Sequence, residues 1–581
     1  MVFDSRIPIG AGAGLIGGGI TGAAAIAQGA AGSAQWWGLW LLHAVVFGVI
    51  AALLLRDRKP LPAVAFSLGL LLGLLDWVAW NSTAVPLLSG HVPTWSIGAA
   101  VAGYDELVRT GLLGALVGVL YCGLAAAFGT DPEPAASRKP HVVIVGGGFG
   151  GVAAARRLDA LIARGLDINV TVISDSNSLL FTPLLVGVAA GALADRHVSA
   201  PVRAALAHAS FLHGRVNSID TASRNAYVTV VGGGPQRVPY DHLVLAVGAV
   251  PHYFDLPGVG DNAFALKSIE DADRLRNHVL GVLERADAEP DPAEQDRLLT
   301  FVVVGGGFAG TELIAELFDL IHDVRHYYPR LHGLSPRCVL VHSGDRLLPE
   351  LPGELGDYAL SILRERGIEF RLGARLVGAD ARGVRLGTGE ELPTATLAWT
   401  AGNRPNPLAG ALGAATDRGA LVVDATMRVP ALDGVWAVGD CARIPDPAQT
   451  AGWYPPTAQH ALREGKTVAD NIAAVIGERA PRPFRFGALG VLVSLGHQRA
   501  AGLVLGRRVS GFTGWILWRA VYLSKLPGGD KRLRVLADWL LDLVFPRDIA
   551  LIRDAAPGPG ARVPAATPVA APSSRNRNGH E

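Results

Sequence analysis

The chain has 581 residues, of which 50% are apolar and only 18% charged, a composition shifted toward membrane proteins and long enough for three or four domains. A net charge of +1 gives no reason to expect nucleic-acid binding. The three cysteines, Cys122, Cys338 and Cys441, form no C-x-x-C pair, which argues against a disulfide framework, a zinc ribbon and a dithiol relay.

Apolar residues are concentrated before residue 130. Three segments of about 20 residues, 36–55, 61–80 and 110–129, are long enough to span a membrane. A fourth segment, 8–31, is a weaker candidate because its Gly and Ala residues gain little on leaving water. We therefore predict an all-α transmembrane helical domain with three to four spans.

Basic residues orient these spans. The cluster Arg56–Lys59 and the pair Arg138 and Lys139 are expected on the cytoplasmic side. The protein is then a multi-pass protein of the cell's inner (cytoplasmic) membrane, with its later domains in the cytoplasm. His43 and Asp76 fall in the outer third of their segments and can pair, either as a proton or quinone site or as a contact that fixes helix packing near the headgroups.

A nucleotide-binding motif follows a linker rich in Pro and Ala. Strand 141–145 leads to the turn Gly146-Gly147-Gly148-Phe149-Gly150-Gly151 and a helix over 149–164. In a G-x-G-x-x-G turn the glycines allow a tight bend, close approach of a pyrophosphate and close packing of helix on strand. The next strand, 169–173, precedes Ser174, where an acid usually binds ribose. Asp175 is the candidate substitute, although its side chain should point to the other face.

Two further segments follow this motif. Phe181-Thr182-Pro183-Leu184-Leu185 is an apolar loop that suits the face of a flat ring. Asp241–Gly248 is a buried strand that ends in a small-residue turn. Taken separately, each is better explained as a core strand with a turn.

A second nucleotide-binding motif of the same kind follows about 160 residues later. Strand 301–304 runs into Gly305-Gly306-Gly307-Phe308-Ala309-Gly310 and a helix. Two such motifs indicate two dinucleotides, usually a flavin and a nicotinamide, between which a hydride passes. The second strand of this module, 338–341, ends at His342, where NADH-specific modules usually have an acid, and Arg346 is nearby. NADH is the first choice, and NADPH stays open.

The last part of the chain holds a carboxylate and a row of aromatic residues. Asp440 follows the β-rich run 434–438 and could accept hydrogen bonds from a ribityl chain. Trp515, Trp518 and Tyr522 lie on one helical face and precede basic residues, as in a helix at the membrane surface. The alternatives are a helical hairpin packed on the protein's own core and a homodimer contact.

Together these segments resemble the two-dinucleotide-binding flavoproteins and, within them, the type II NADH dehydrogenases, which are single-subunit NADH:quinone oxidoreductases. The discriminating segments are Phe181–Leu185, Trp399–Gly402, Ala458–Ala461 with Glu464-Gly465-Lys466, and the C-terminal region. The resemblance covers roughly residues 140–553 and leaves out the first 130.

The resemblance implies a set of binding residues. In the flavin module these are Gly146, Gly148, Phe149, Gly150, Gly151, Asp175, Thr182, Pro183, Ala246, Gly248, Gly402, Gly439, Asp440, Ala458 and Gln459. In the nicotinamide module they are Gly305, Gly307, Phe308, Gly310, Glu312 and His342. Glu312, Gln459 and Pro183 are the candidate catalytic residues, at the quinone-facing side of the flavin. Glu312 is equally well explained as a helix N-terminal acid interacting with the dipole.

The implied activity is hydride transfer from NADH to FAD, then transfer of two electrons to a membrane quinone without proton pumping. A sulfide:quinone oxidoreductase-like enzyme, or another NAD(P)H-dependent flavoprotein reductase, is the alternative. A third hypothesis is a redox-sensing flavoprotein that regulates its N-terminal helices. The expected partners are quinone and membrane lipid, with no metal and no nucleic acid.

The predicted fold is α/β, with two Rossmann-like domains for FAD and NAD(P)H between an all-α transmembrane domain and a membrane-associated helical segment. The predicted boundaries are 1–130 for the transmembrane domain, 131–139 for the linker, 140–269 and 398–482 for the flavin domain, 270–397 for the NAD(P)H domain, 483–553 for the membrane-anchoring region and 554–581 for a disordered tail.

Overall fold

The computed structural model describes residues 6–27, 34–54, 62–84, 104–128, 139–448, 452–487 and 490–551. It divides into a unit that ends at Arg138 and a unit that begins at Lys139. The predicted cytoplasmic cluster Arg56–Lys59, the linker up to Arg138 and the tail 554–581 lie outside the described residues.

The described part of the N-terminal unit is helical. Its helices are α1 (Arg6–Ala27), α2 (Ala34–Leu54), α3 (Pro62–Asp76), which continues as a π-helix over Trp77–Ala84, and α4 (Tyr104–Phe128). Helices α3 and α4 pack so closely that only glycine fits at residue 69. A Cβ there would lie 2.1 Å from the carbonyl oxygen of Gly114, too close for a real contact. Such contacts between small residues are typical of helices that pack inside membranes.

By length and composition, one described helix could cross a membrane, namely Tyr104–Leu124 within α4. Shorter apolar stretches lie at Ala11–Thr21, Trp40–Ala52 and Ala65–Trp80, on α1, α2 and α3 with its π-helical continuation. The predicted spans thus coincide with helices, but only one of them passes this test. The predicted pairing of His43 with Asp76 is confirmed, since His43 Nε2 lies 2.9 Å from Asp76 Oδ2.

The C-terminal unit alternates strands and helices. Its strands are β1 (His141–Val145), β2 (Asn169–Ser174), β3 (Ser178–Leu180), β4 (Ser199–Pro201), β5 (Ser210–Asp220), β6 (Asn225–Val230), β7 (Pro235–Pro239), β8 (His242–Leu245), β9 (Ala249–Pro251), β10 (Ala263–Ala265), β11 (Thr300–Val304), β12 (Arg337–His342), β13 (Glu369–Leu372), β14 (Leu376–Asp380), β15 (Gly383–Leu386), β16 (Glu391–Pro393), β17 (Thr396–Trp399), β18 (Asn403–Pro405), β19 (Thr416–Asp417), β20 (Ala420–Val422), β21 (Val435–Ala437), β22 (Ala442–Arg443), β23 (Gly490–Ser494), β24 (Ala500–Val504) and β25 (Arg507–Ser510). Its α-helices are α5 (Phe149–Ile162), α6 (Leu185–Ala189), α7 (Val259–Asn262), α8 (Ile269–Ala288), α9 (Pro292–Leu298), α10 (Phe308–Val324), α11 (Gly353–Glu365), α12 (Pro407–Gly410), α13 (Ala458–Ile476), α14 (Gly511–Lys525) and α15 (Gly529–Asp542).

The first lobe is built on a seven-stranded sheet of order β21-β8-β1-β2-β5-β6-β7. The strands from β21 to β5 are parallel, and β6 and β7 add antiparallel. The central strand β1 is almost entirely buried, as its run of β-branched residues requires. The predicted strand 141–145 is therefore confirmed, and the helix predicted over 149–164 ends at Ile162.

The second lobe contains a five-stranded parallel sheet of order β10-β17-β11-β12-β13. It starts at β10, before the predicted boundary at residue 270, and its strand β17 ends at Trp399, beyond residue 397. The reason is that the short strands at the two ends of the insertion pair with each other. Antiparallel pairing of β9 with β18 joins this lobe to the first one.

The C-terminal region is a three-stranded antiparallel sheet, β23-β24-β25, followed by α14 and α15. The two helices add Trp518 and Trp539 to the same hydrophobic core that contains α6, α8 and α10. The region therefore covers the side of the molecule where the two lobes meet loop 181–189.

Candidate active site

The first glycine turn has the shape that a dinucleotide pyrophosphate needs. Gly146 has φ +116°, and a Cβ on Gly151 would lie 1.9 Å from the carbonyl oxygen of Gly146. A Cβ on Gly148 would meet nothing within 4 Å, so space is open before the N-terminus of α5. The turn is thus closed where helix and strand pack and open where phosphate would sit, which fits FAD.

At the end of β2, the side chains of the two candidate ribose ligands, Ser174 and Asp175, point to opposite faces. Ser174 is buried against the turn, and a Cβ on Gly147 would lie 2.8 Å from its hydroxyl oxygen. Asp175 points to the other face, where its carboxylate is 59% exposed and pairs with Arg215 at 3.4 Å. These contacts give no support to Asp175 as a ribose ligand, and that assignment stays a prediction.

The loop 181–185 links the flavin lobe to the C-terminal helices. Thr182–Leu184 forms a short 3-10 helix with Pro183 in its first turn. Phe181 is buried, and its ring makes edge contacts with Phe149 of the glycine turn, at 5.9 Å, and with Tyr522 of α14, at 6.3 Å. The loop therefore lies between the glycine turn and the C-terminal region, as the ring-facing assignment of Thr182 and Pro183 requires.

Asp440 lies in a half-buried, polar corner of the flavin lobe. Burial raises the pKa of Asp440, and the nearby ammonium of Lys267 lowers it. Burial lowers the pKa of Lys267, while Asp440 raises it. Among the described residues no hydrogen-bond donor reaches the Asp440 carboxylate, so it is available to the hydroxyls of a ribityl chain.

Glu464 holds the turn that presents Asp440. Its Oε2 accepts a hydrogen bond from the Gly439 N–H at 2.7 Å, and burial raises its pKa to about 7. Its neighbour Gly465 packs on the glycine turn, because a Cβ there would lie 2.2 Å from the carbonyl oxygen of Gly150. The sequence reasoning assigned no role to Lys267 or Glu464. Glu464 stood inside a recognised motif, whereas no motif marked Lys267.

The remaining flavin-module residues are spread around this lobe. Ala246 contacts the first glycine turn, since a Cβ on Gly146 would lie 2.2 Å from its carbonyl oxygen. Gly248 has φ +64° just after β8, and Gly402 packs on the ring of Phe254. Ala458 begins α13, and the Gln459 amide donates to the Gly490 carbonyl at 3.2 Å. Gln459 therefore lies at the boundary between the flavin lobe and the C-terminal region.

The second glycine turn repeats the first. Gly305 has φ +120°, and a Cβ on Gly310 would lie 1.9 Å from the carbonyl oxygen of Gly305. Phe308 begins α10 directly after the turn. His342 lies beneath it, with Nδ1 accepting a hydrogen bond from the Gly306 N–H at 3.1 Å. The geometry fits a second dinucleotide.

Glu312 is a buried acid in the first turns of α10. Its Oε1 accepts hydrogen bonds from the Ser494 N–H at 2.9 Å and from the Trp518 indole at 3.2 Å. Burial raises the pKa of Glu312 to about 8, although both hydrogen bonds lower it. The carboxyl group is therefore mainly protonated at neutral pH and can donate a proton.

Glu312 lines a small pocket that brings three parts of the chain together. One wall is loop 183–193, another is α10, and the third is the C-terminal region. Its lining residues are Pro183, Leu184, Val186, Gly187, Ala192, Leu193, Glu312, Glu316, Ser494, Trp515, Trp518, Arg519, Trp539 and Asp542. Two of the three candidate catalytic residues, Pro183 and Glu312, thus share one pocket, and Gln459 is not in its lining.

The C-terminal aromatic residues pack largely against the protein's own core, and the helix at the membrane surface stays a prediction. Trp518 and Trp539 are buried, and the Arg519 guanidinium lies over the rings of Trp515, at 4.0 Å, and Trp539, at 4.9 Å. These rings complete the protein's own core and the pocket wall, which is the hairpin alternative. The opposite side exposes apolar side chains, namely Phe512, Ile516, Leu533, Leu536, Leu540, Leu541, Leu543, Val544 and Phe545.

The two cysteines of the C-terminal unit are far apart in the topology. Cys338 is buried in β12 of the second lobe, and Cys441 is buried after β21 of the first. Burial raises the pKa of both thiols to about 12. They form no dithiol beside the glycine turns, which removes the chemistry that the sulfide-oxidising alternative needs.

Comparison with known proteins agrees with this geometry. The model of the pyridine nucleotide-disulphide oxidoreductase family matches residues 140–465, and that of the NDH2 C-terminal domain matches 489–548. The chain belongs to the type II NADH:quinone oxidoreductase family. It is 29% identical over 433 residues to the type II NADH:quinone oxidoreductase Ndh of Mycobacterium tuberculosis, covering 72% of this chain and 91% of that one. It is 31% identical over 419 residues to a probable NADH dehydrogenase of Dictyostelium discoideum, covering 70% and 90%.

A solved structure shows the same fold. NDH2 from Plasmodium falciparum in complex with NADH is 20% identical, with a TM-score of 0.66, and the match covers 71% of this chain and all of that one. Both family models begin after Lys139, so the N-terminal unit lies outside the matched region.

Proposed function

We propose that this protein is a membrane-bound, FAD-dependent enzyme that oxidises NADH and reduces a membrane quinone without pumping protons. The observation that carries the proposal is the pocket that joins Pro183 of the flavin lobe, Glu312 of the nucleotide lobe and the C-terminal helices. Its lining combines indole rings and aliphatic side chains with polar and charged groups, namely Glu312, Glu316, Ser494, Arg519 and Asp542, which suits an apolar ring that carries polar oxygens.

The residues of the chain would orient the two dinucleotides and supply a proton to the quinone. The two glycine turns would hold two pyrophosphates at the N-termini of α5 and α10, and Asp440 would accept hydrogen bonds from the ribityl hydroxyls of FAD. Bound FAD supplies the chemistry that couples a hydride donor to a quinone. Glu312, protonated at neutral pH, is placed to donate a proton to a quinone oxygen in the pocket.

The exposed apolar side chains of α14 and α15 support a contact with lipid. They lie on the same hairpin whose inner face lines the pocket, so a quinone dissolved in the bilayer has a short route to Glu312. We further propose that the N-terminal helices cross the inner membrane several times and hold the catalytic unit on the cytoplasmic side. The close glycine contacts between α3 and α4, and the apolar helix Tyr104–Leu124, support this.

The test is anaerobic reduction of the purified, FAD-loaded protein. NADH should bleach the flavin absorbance quickly, and a short-chain quinone should restore it. A flavin that neither NADH nor NADPH reduces would overturn the proposal, and sulfide would then be the next reductant to try.

A further inference from the structure

The strand end that usually carries the ribose-binding acid carries a histidine here. His342 lies under the second glycine turn, with its ring against Gly306 and Gly344. Burial lowers the pKa of His342, while the nearby carboxylates of Glu350 and Asp345 raise it. The His342 ring thus supports the turn, and burial works against a positive charge that could pair with a phosphate.

The loop after β12 folds back over this turn and brings a carboxylate to it. The Leu348 N–H donates to the Gly306 carbonyl at 2.8 Å, and the side chains of Leu347 and Leu348 are buried, which fixes the loop. Glu350 follows, and its Oε1 lies 2.9 Å from the position that a Cβ on Gly307 would take. The exposed carboxylate is thus beside the second glycine, where the backbone approaches a bound dinucleotide.

The only basic side chain of loop 343–352, Arg346, is directed elsewhere. Its guanidinium donates to the Leu351 carbonyl at 3.4 Å and lies against Gly353 at the start of α11. The charges that face His342 from this loop are the two carboxylates, Asp345 and Glu350. The charges that this loop brings to the end of β12 are therefore negative.

We propose that Glu350 takes the place of the missing strand-end acid, by accepting hydrogen bonds from the adenosine ribose hydroxyls of NADH and repelling the 2′-phosphate of NADPH. The inference rests on the proposed function, because it concerns the nucleotide held at the second glycine turn. A carboxylate accepts from both hydroxyls of a ribose, whereas a 2′-phosphate replaces one donor with a like charge. The enzyme is then selective for NADH.

The test compares Glu350→Gln with the wild-type protein and with Asp357→Asn, which removes an exposed carboxylate from α11 without altering the loop. Calorimetry on the FAD-loaded full chain measures binding of ADP-ribose and of its 2′-phosphate. The wild type and Asp357→Asn should prefer ADP-ribose. Glu350→Gln should lose roughly tenfold in ADP-ribose affinity, as expected for one charge-assisted hydrogen bond, and should bind the 2′-phosphate more tightly than the wild type does. The ratio of kcat/KM for NADH and NADPH should shift in the same direction.

Two results would overturn the inference. One is a wild-type protein that binds both ligands equally. The other is a Glu350→Gln variant in which both affinities change alike, which would mean that the carboxylate only obstructs the pyrophosphate. Failure of the proposed function looks different, since neither nucleotide would then bleach the flavin of the wild type, whatever the binding data show.

Discussion

The carboxyl groups of Glu312 and Asp440 lie in different electrostatic surroundings. Glu312 accepts hydrogen bonds from two neutral donors, and the charged group that affects its pKa, Glu316, raises it further. Burial raises the pKa of Asp440 as well, but here the ammonium of Lys267 opposes the shift. Glu312 therefore suits proton donation, and Asp440 suits the acceptance of hydrogen bonds.

Glu312→Gln should separate the two half-reactions. Reduction of the flavin by NADH should be little changed, while its reoxidation by quinone should slow by about 100-fold, the usual scale for loss of a general acid. Because the pKa of Glu312 is raised to about 8, the proton donor is present below that pH, and wild-type reoxidation should fall as pH rises through about 8. The variant should lack this pH dependence. Stopped-flow absorbance at several pH values measures both rates, and an unchanged reoxidation rate would contradict the assignment.

Among the elements, the glycine turns could be predicted from sequence because their causes are local. A strand, three glycines at fixed spacing and a helix determine their own geometry, as the contacts of Gly151 and Gly310 show. Glu350, Glu464 and Lys267 could not be found in this way. Each meets its site through a contact between segments that are distant in sequence or through a loop that folds back, and no local pattern encodes that.

The C-terminal hairpin shows what the spacing of aromatic residues cannot predict, namely the surroundings of a helical face. Trp515, Trp518 and Tyr522 are correctly placed on one helical face, but spacing alone does not say whether that face meets lipid or protein. The structure turns them toward Glu312 and the core, and leaves leucines such as Leu533 and Leu540 outside. The exposed side of the hairpin is thus the one with fewer aromatic rings.

The contact of this hairpin's exposed side with lipid can be tested by substitutions that leave the buried core unchanged. Replacing Leu533, Leu540 and Val544 with Glu removes apolar side chains that the protein itself does not bury. KM for a long-chain quinone in liposomes should rise by about tenfold or more, given the free energy of transferring several aliphatic side chains from water to lipid. KM for a soluble short-chain quinone should stay the same. The matched control is Val231→Glu, an exposed apolar residue of the flavin lobe, and equal effects of both changes would argue against a lipid contact.

At the scale of the whole molecule, the residues proposed to bind the two dinucleotides and the quinone lie in one of two units. Both glycine turns, Asp440 and the pocket around Glu312 lie after Lys139, and the family models match only that part. The N-terminal unit has its own small core and a contact between His43 and Asp76, and the rings of His43 and Trp80 lie 5.3 Å apart. A paired acid and base among apolar helices is either a structural contact or a functional site, and only turnover can distinguish the two.

A chain that begins at Lys139 should therefore bind FAD and, in detergent, reduce short-chain quinones at the wild-type rate. The residues proposed to bind both dinucleotides and the quinone all remain in it, and its exposed C-terminal hairpin should still associate with liposomes, though more weakly. Flavin content, kcat with a soluble quinone and co-sedimentation with vesicles measure these properties. If the truncated protein were folded and loaded with FAD but slow with quinone, His43 and Asp76 would be the first residues to replace in the full chain. Their pair would then belong to proton delivery, and anchoring alone would no longer account for the N-terminal helices.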